Sequence, residues 1–446
     1  VTKVLIPSGA LGLGYDKAAL EHGIAQGPDL IAIDGGSTDS GPSYLGRGVS
    51  KYARESTKAE WRNLIEARIA ANCPLVIGTA GTCGTDSTVD WLYEITLEIL
   101  SDLGATAKIA RLYSEQDPSK IAQTPLTPLS AAPEIDAKAI TNCTHIVALA
   151  GAEQVNAALN TGADIIIAGR TTDTAIIAAL PLANGDHAGG AWHGAKIGEC
   201  GALCTTAPQS GTIMVEFDAS GFNITPMGDG ATATPHTVSA HMLYENSDPF
   251  ILYEPGGHLD VTATRYTDLD GKTVRAEGSV WVPSERYTVK LEGARIAGYQ
   301  TIAMAFLRDA HYVANAQDWC DDIIKHHAAK AADRMGLDPR TWHAELRIIG
   351  QHAVLGDLEN RPPTATELGV LAIITAPDQQ TASTLAKLMN PYLLHHQLTR
   401  DEEMPTFAFP FSPAEIDRGA AYEFVLHHTM ELSDPMDAFR LEVTDA

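Results

Sequence analysis

Basic residues are scarce in this chain of 446 residues: 31 Lys and Arg stand against 56 Asp and Glu, a formal net charge of −25. So acidic a chain repels phosphate, which argues against nucleic-acid binding and against docking on an anionic membrane. Cysteine is scarce as well. Six scattered cysteines do not make a disulfide framework, and Cys200 and Cys204 have no second pair to complete a structural zinc site. No run of about 20 apolar residues occurs, so no membrane-spanning helix is expected. VTKVLIPSGA (1–10) begins as a strand with no charged segment ahead of a long apolar run, so no signal peptide is expected either. The glycines of GALGLG (9–14) miss the G-x-G-x-x-G spacing and no Lys-Ser/Thr follows, which removes the dinucleotide and Walker fingerprints. Repeats and low-complexity tracts are absent. What remains is a cytoplasmic chain long enough to bury large cores without staples, in two or three domains.

What is present is an alternation. Short apolar runs, VLIP (4–7), DLIAID (29–34), PLVIG (74–78), AKIARL (107–112), HIVALA (145–150) and ADIIIAG (163–169), are separated by segments such as 58–72, 89–103 and 152–161 with apolar residues near period 3.6. Continuous apolar strands between amphipathic helices predict βαβ units and a buried parallel sheet. Each run ends in a small or polar loop: 8–14, 35–42, 79–86, 113–117, 151–154 and 169–174. In a parallel sheet those ends share one edge, where open α/β folds bind ligands. From about 205 the texture changes to strand-like alternation in 213–217, 259–266, 273–282 and 287–293, with further strands at 344–356, 367–378 and 422–432 and helices at 316–335 and 379–390. The predicted fold class is α/β, a parallel Rossmann-like sheet flanked by helices, followed by an α+β, β-rich second half. The predicted domains are 1–204, whose strand-end loops form the crevice, and 205–446, with a hinge at ENRPPTATE (359–367).

The loops carry the chemistry. GGSTDSGP (35–42) follows Asp34 and holds Ser37, Thr38 and Asp39. Such carboxylates and hydroxyls can hold a metal, orient a substrate or move a proton, and they are equally at home in turns and helix N-caps. GTAGTCGTD (78–86) offers the amides of Gly81 and Thr82 as an anion cradle, with Asp86 as a helix cap. In GRTTDTA (169–175), Arg170 suits a substrate carboxylate and Asp173 a base, or the two form an internal ion pair. AWHGAKIGECGALC (191–204) puts His193, Lys196 and Cys200 on one helical face, with Glu199 in reach of Lys196. That is a perturbed acid–base group with a thiol, or a packed helix with an ordinary ion pair and a buried Cys. Three His-His pairs (326–327, 395–396, 427–428) point their rings to different faces, which suits no shared metal. The stretches 235–249 and 254–260 add His236, His241, Glu245, His258 and Asp260, as a cover over the crevice or as capping groups.

GGSTDSGPSYLG, GADIIIAGRTTDTAIIAALP, AWHGAKIGECGA, LYENSDPFILYEPGGHLDVT, YTVKLEGA and FAFPFSPAEIDRGAAYEF, in order from about residue 3 to about 443, resemble the acyclic terpene utilisation AtuA family, formerly a domain of unknown function. The resemblance implies a place in the breakdown of acyclic terpenes such as citronellol and geraniol through CoA thioesters, or in other carboxylic-acid catabolism. It also implies a small companion protein, and it brings no mechanism. The STD-x-GP-x-YLG pattern is similar to a branch of the family apart from the terpene-pathway members.

The resulting expectation is a catabolic lyase of hydratase/dehydratase type acting on a small carboxylic acid or its CoA thioester. Arg170 would hold the carboxylate, while Ser37, Thr38 and Cys200 contact substrate. Gly81 and Thr82 would stabilise enolate charge, and Asp39, Asp173 or His193 would move the proton, tuned by Lys196 and Glu199. No cofactor is required beyond CoA as part of the substrate, with a divalent metal left open, and a homo-oligomer is expected at this size. Two alternatives stand beside it. One is a non-catalytic ligand-binding or scaffold subunit working with the companion. The other is a metal-dependent hydrolase using Asp34, Asp39, Asp86 and His193.

Overall fold

A computed structural model describes residues 1–129 and 135–446. Two compact units emerge, one of residues 1–295 with 424–446 and one of residues 296–423. The texture change at 205 therefore falls inside the first unit, and 359–367 inside the second.

The first unit is built on a ten-stranded sheet. Its strands are β1 (Thr2–Ile6), β2 (Leu30–Asp34), β3 (Leu75–Gly78), β4 (Lys108–Tyr113), β5 (Ile165–Ala168), β6 (Ile213–Phe217), β7 (Gly221–Pro226), β8 (Arg265–Asp268), β9 (Val274–Glu277) and β10 (Arg440–Asp445), in the order β8-β9-β7-β6-β1-β2-β3-β5-β4-β10. The middle five are parallel, with Val4 beside Leu30, Ile31 beside Leu75, Leu75 beside Ile165 and Ile109 beside Ile165. Antiparallel strands flank them on both sides. The sheet is mixed, as an α/β class with a β-rich addition requires.

The near-continuous apolar runs are explained by burial on both faces. Alternate residues go to opposite sides. Leu5, Ile31, Ile33, Ile77, Ile109 and Ile165 pack with helices Lys17–Ala25, Arg54–Ala71 and Asp86–Leu103. Val4, Ile6, Leu30, Ala32, Val76 and Ile166 pack with helices Ala152–Leu159, Ala175–Ala183 and Ala188–Gly198. Helix Asp86–Leu103 shows the pattern plainly: Val89, Leu92, Ile95, Thr96 and Ile99 are buried, and it stops at Gly104 in the left-handed conformation. The indole of wholly buried Trp61 donates to Thr96 Oγ1 at 2.8 Å, joining two helices. Truncating Trp61 to Ala would cost about 3–5 kcal/mol.

One predicted strand is misplaced. HIVALA does form a strand, His145–Ala148, but it runs antiparallel to Leu291–Ala294 and lies outside the ten-stranded sheet. Apolarity reveals that a strand is buried and says nothing of which partner it takes. The segments 259–266 and 273–282 are likewise each split by a turn into short strands of different sheets. The second unit pairs His343–Ile349 with Leu368–Ala376, and Leu368–Ala376 with Tyr299–Leu307, all antiparallel. Helices Ala316–Met335 and Gln379–His395 pack in its core. Among the described residues, no helix is long and apolar enough to cross a membrane.

Candidate active site

In the first unit, the ends of β1, β2, β3 and β5 open on a cavity of about 840 Å³. Ser8, Asp34, Ser37, Asp39, Thr82 and Asp173 reach it from the strand-end loops, and Glu199, Cys200, Tyr244 and Glu245 close it from later in the chain. Four of the six predicted loops therefore converge. The loops at 113–117 and 151–154 do not line it, because β4 is the outermost parallel strand and His145–Ala148 belongs elsewhere.

Close backbone approach sets the geometry. Gly84 has φ +65°, and a Cβ there would lie 2.2 Å from the amide nitrogen of Arg170. Thr79 and Thr82 also have positive φ, 52° and 78°, as does Glu245 at 50°. Positive φ is costly for β-branched residues, and three of the five such non-glycine positions among the described residues belong to this site.

Arg170 lies beneath the cavity, buried and fully engaged. Its Nε donates to Glu292 Oε2 at 3.0 Å, and its two NH groups reach Glu292 Oε1, Thr79 Oγ1, the Thr171 carbonyl, Asp173 Oδ1 and Thr38 Oγ1 at 2.9–3.4 Å. Thr38 donates to Glu292 at 2.8 Å, and Lys290 Nζ lies 3.0 Å from the other carboxylate oxygen. Burial alone would raise Glu292, but Arg170 and Lys290 outweigh it and hold the carboxyl at about 2. Arg170 and Thr38 thus form a brace and are not the expected substrate contacts: the internal-pair alternative describes Arg170, with Glu292 as its main partner.

The cavity itself is crowded with acids. Asp34 is buried, its Oδ1 has no hydrogen-bond partner among the described residues, and burial followed by repulsion from Asp173 holds it well above the usual carboxylate range. Asp173, partly buried, is raised by burial and by Asp39 against the pull of Arg170. Burial pushes Glu199 up to about 8, with Lys196 opposing and Asp173 adding. Lys196 and Glu199 form the expected i, i+3 pair, in a short contact, on the buried helix Ala188–Gly198. Behind them Glu254 accepts from Thr174 and is pushed by burial up to about 7. Lys51 is the one basic side chain lining the cavity among the described residues.

Three other expectations are corrected. His193 is wholly buried away from the cavity, with Nδ1 2.7 Å from Ser279 Oγ and Nε2 3.1 Å from the Tyr266 hydroxyl. Burial lowers it to about 3, so it is a neutral core histidine. The amide of Thr82 donates to the Thr79 carbonyl at 3.0 Å, and Gly81 does not line the cavity, so this loop offers no cradle of the predicted kind. Asp86 binds Arg440 and the Glu115 amide, so Asp34, Asp39, Asp86 and His193 are not one donor set. Cys200 does line the cavity, but burial and neighbouring acids raise its thiol far above the range of a reactive nucleophile.

The sequence model of the acyclic terpene utilisation family, AtuA, matches residues 50–406. The chain belongs to that family. The match spans the AtuA chain's loops at 79–86 and 169–174, the helix carrying Lys196, and Glu292, whereas the loop at 35–42 precedes it. No curated protein and no solved structure matches the chain. Sequence reasoning passed over Glu292 and Glu254, and it placed Asp34 only among the ligands of the metal-hydrolase alternative. The signal that singled Asp34 out was a carboxylate closing an otherwise apolar strand. Glu292 gave none, since only the fold brings it to Arg170.

Proposed function

We propose that this AtuA-family chain is a cytoplasmic catabolic lyase of hydratase/dehydratase type, acting on a small carboxylic acid or its CoA thioester. One observation carries the reading: Asp34, a buried carboxyl with one oxygen lacking a hydrogen-bond partner among the described residues, lines the cavity beside Asp173, and both are raised above the usual carboxylate range. Carboxyls whose hold on the proton is strengthened by burial and by one another are what general acid catalysis needs. In the dehydration direction, Asp39 takes the proton next to the carbonyl. Asp34 or Asp173 gives a proton to the departing hydroxyl, water leaves and the carbon–carbon double bond forms. Ser37 and Thr82 supply hydroxyl contacts. Lys51, at the rim with Nζ 3.2 Å from Ser40 Oγ, takes the anionic end of the substrate in place of Arg170.

The test is a panel of small 2- and 3-hydroxy acids and their CoA thioesters, following the α,β-unsaturated product. Asp34→Asn and Asp39→Asn should each lower kcat by about 10²–10⁴-fold with the fold retained. Wild-type turnover that persists in both variants would end the assignment. Running the panel with and without a small companion protein separates an intrinsic activity from one the companion completes.

A further inference from the structure

The residues that follow helix Ala188–Gly198 and helix Pro235–Ala240 come together beside the cavity, whose lining includes Glu199 and Cys200. A Glu199 carboxylate oxygen, the Cys200 sulfur and a ring nitrogen of His241 all lie within 4.8 Å of one another there. We infer that Glu199, Cys200 and His241 bind a divalent transition-metal ion of the zinc class. The inference goes beyond the lyase reading and does not depend on it, because binding is measured without substrate.

The donor chemistry selects the ion. One sulfur, one imidazole nitrogen and one carboxylate oxygen suit Zn²⁺, whose bonds to sulfur and nitrogen are about 2.3 Å and about 2.0–2.1 Å. Magnesium and calcium take oxygen ligands and would leave the thiol and imidazole unused. Three protein ligands leave a fourth position, and Glu199 and Cys200 both line the cavity, so that position opens toward a substrate.

His241 supplies an independent observation. The residue is only 6 % exposed, and its Nε2 has no hydrogen-bond partner among the described residues. Buried imidazole nitrogens are ordinarily satisfied, and a metal ion satisfies one as well as a donor does. The ring is held in place by stacking on Tyr244, with centroids 5.3 Å apart and planes 19° apart. The surroundings favour a dication. Asp173 and Glu245 lie close enough to act on Cys200, and Lys196 is the cation opposing them. Lys196 also fixes the Glu199 carboxylate, the role outer partners play around metal ligands.

The full chain, stripped with a chelator, is titrated with Co²⁺ alone and then with Zn²⁺ alone. The expected result is one ion per chain, with a thiolate-to-cobalt charge-transfer band that Zn²⁺ displaces and Mg²⁺ does not. Cys200→Ser should abolish the band, and His241→Gln should weaken Zn²⁺ binding about tenfold or more. Cys204→Ser is the control: that buried thiol donates to the Gly201 carbonyl at 3.4 Å and should change neither readout. Absence of stoichiometric binding to the wild type overturns the inference, as does a charge-transfer band that survives Cys200→Ser. Should a variant fail to fold by circular dichroism, the wild-type cobalt spectrum decides, since a spectrum without thiolate charge transfer is also a refutation.

Discussion

Glu292→Gln isolates the brace beneath the cavity. The substitution keeps the shape of the side chain but removes the charge that Arg170 meets at 3.0 Å, in a setting where both side chains are under a tenth exposed. Breaking one side of a buried ion pair costs about 3–5 kcal/mol, because the survivor remains buried without its partner. The displacement of Glu292 from the ordinary 4.5 to about 2 gives a similar size, about 3 kcal/mol. For a cooperative unit of roughly 300 residues, with an unfolding entropy of about 2.1 cal/mol/K per residue, this lowers Tm by about 4–8 °C. The pH dependence has a definite sign. A carboxyl lowered by folding stabilises fully above its unfolded value and loses that contribution as pH falls through the folded one. The wild type should therefore lose this stability between about pH 4.5 and about pH 2, and the variant should lack that component. Calorimetry at neutral pH and along an acid series measures both effects. A Tm within about 1 °C of wild type at pH 7, or an acid limb of unchanged steepness, would refute the idea that this pair holds the site together.

Asp34→Asn removes a carboxyl that the fold holds well above its usual range, so its charged form opposes folding as pH rises. The variant should match or exceed wild-type Tm above neutral pH by differential scanning fluorimetry while losing turnover, the trade expected of a strained catalytic group. His193→Gln should cost about 1–3 kcal/mol through disturbed hydrogen bonds to Ser279 and Tyr266, measured by urea unfolding, with Zn²⁺ affinity unchanged. Because folding lowers His193 from 6.5 to about 3, wild-type stability from this group is present above pH 6.5 and is lost as pH falls toward 3, and His193→Gln should flatten that limb. Gly84→Ala puts a Cβ 2.2 Å from a backbone nitrogen at a φ that alanine resists, so soluble, folded protein should be largely lost on expression; a wild-type circular dichroism spectrum and Tm would contradict this packing.

Local patterns were legible where local forces decide the outcome. Apolar runs ending in small or polar loops gave the five parallel strands to within about two residues at each end, and the three-residue spacing of Lys196 and Glu199 gave their contact. Parallel topology then gathered Asp34, Asp39, Thr82 and Asp173 without any long-range information. Long-range pairing was not legible. Glu292 stands 122 positions from Arg170, whereas the stretch 235–249, read as a cover over the crevice or as capping groups, does bring Tyr244 and Glu245 to the lining. The choice of partner for His145–Ala148 was equally hidden, since one strand of apolar residues packs as well in either sheet. His193 misled for the opposite reason: its spacing puts it in register with Lys196, yet the helix is buried all round, and one turn is enough to move a side chain from the cavity into the core.

With Arg170 committed beneath the floor, the cavity's own walls discriminate by charge. Asp34, Asp39, Asp173, Glu199 and Glu245 line the cavity, Lys196 is spent on Glu199 from behind, and Lys51 is the one basic side chain in the lining among the described residues. On the proposed lyase reading, a free dicarboxylate would be repelled by whichever of these carboxylates are ionised, whereas a thioester presents a neutral carbonyl. On that reading the lining favours acids whose charge has already been masked, by esterification, by protonation or by a cation that travels in with them.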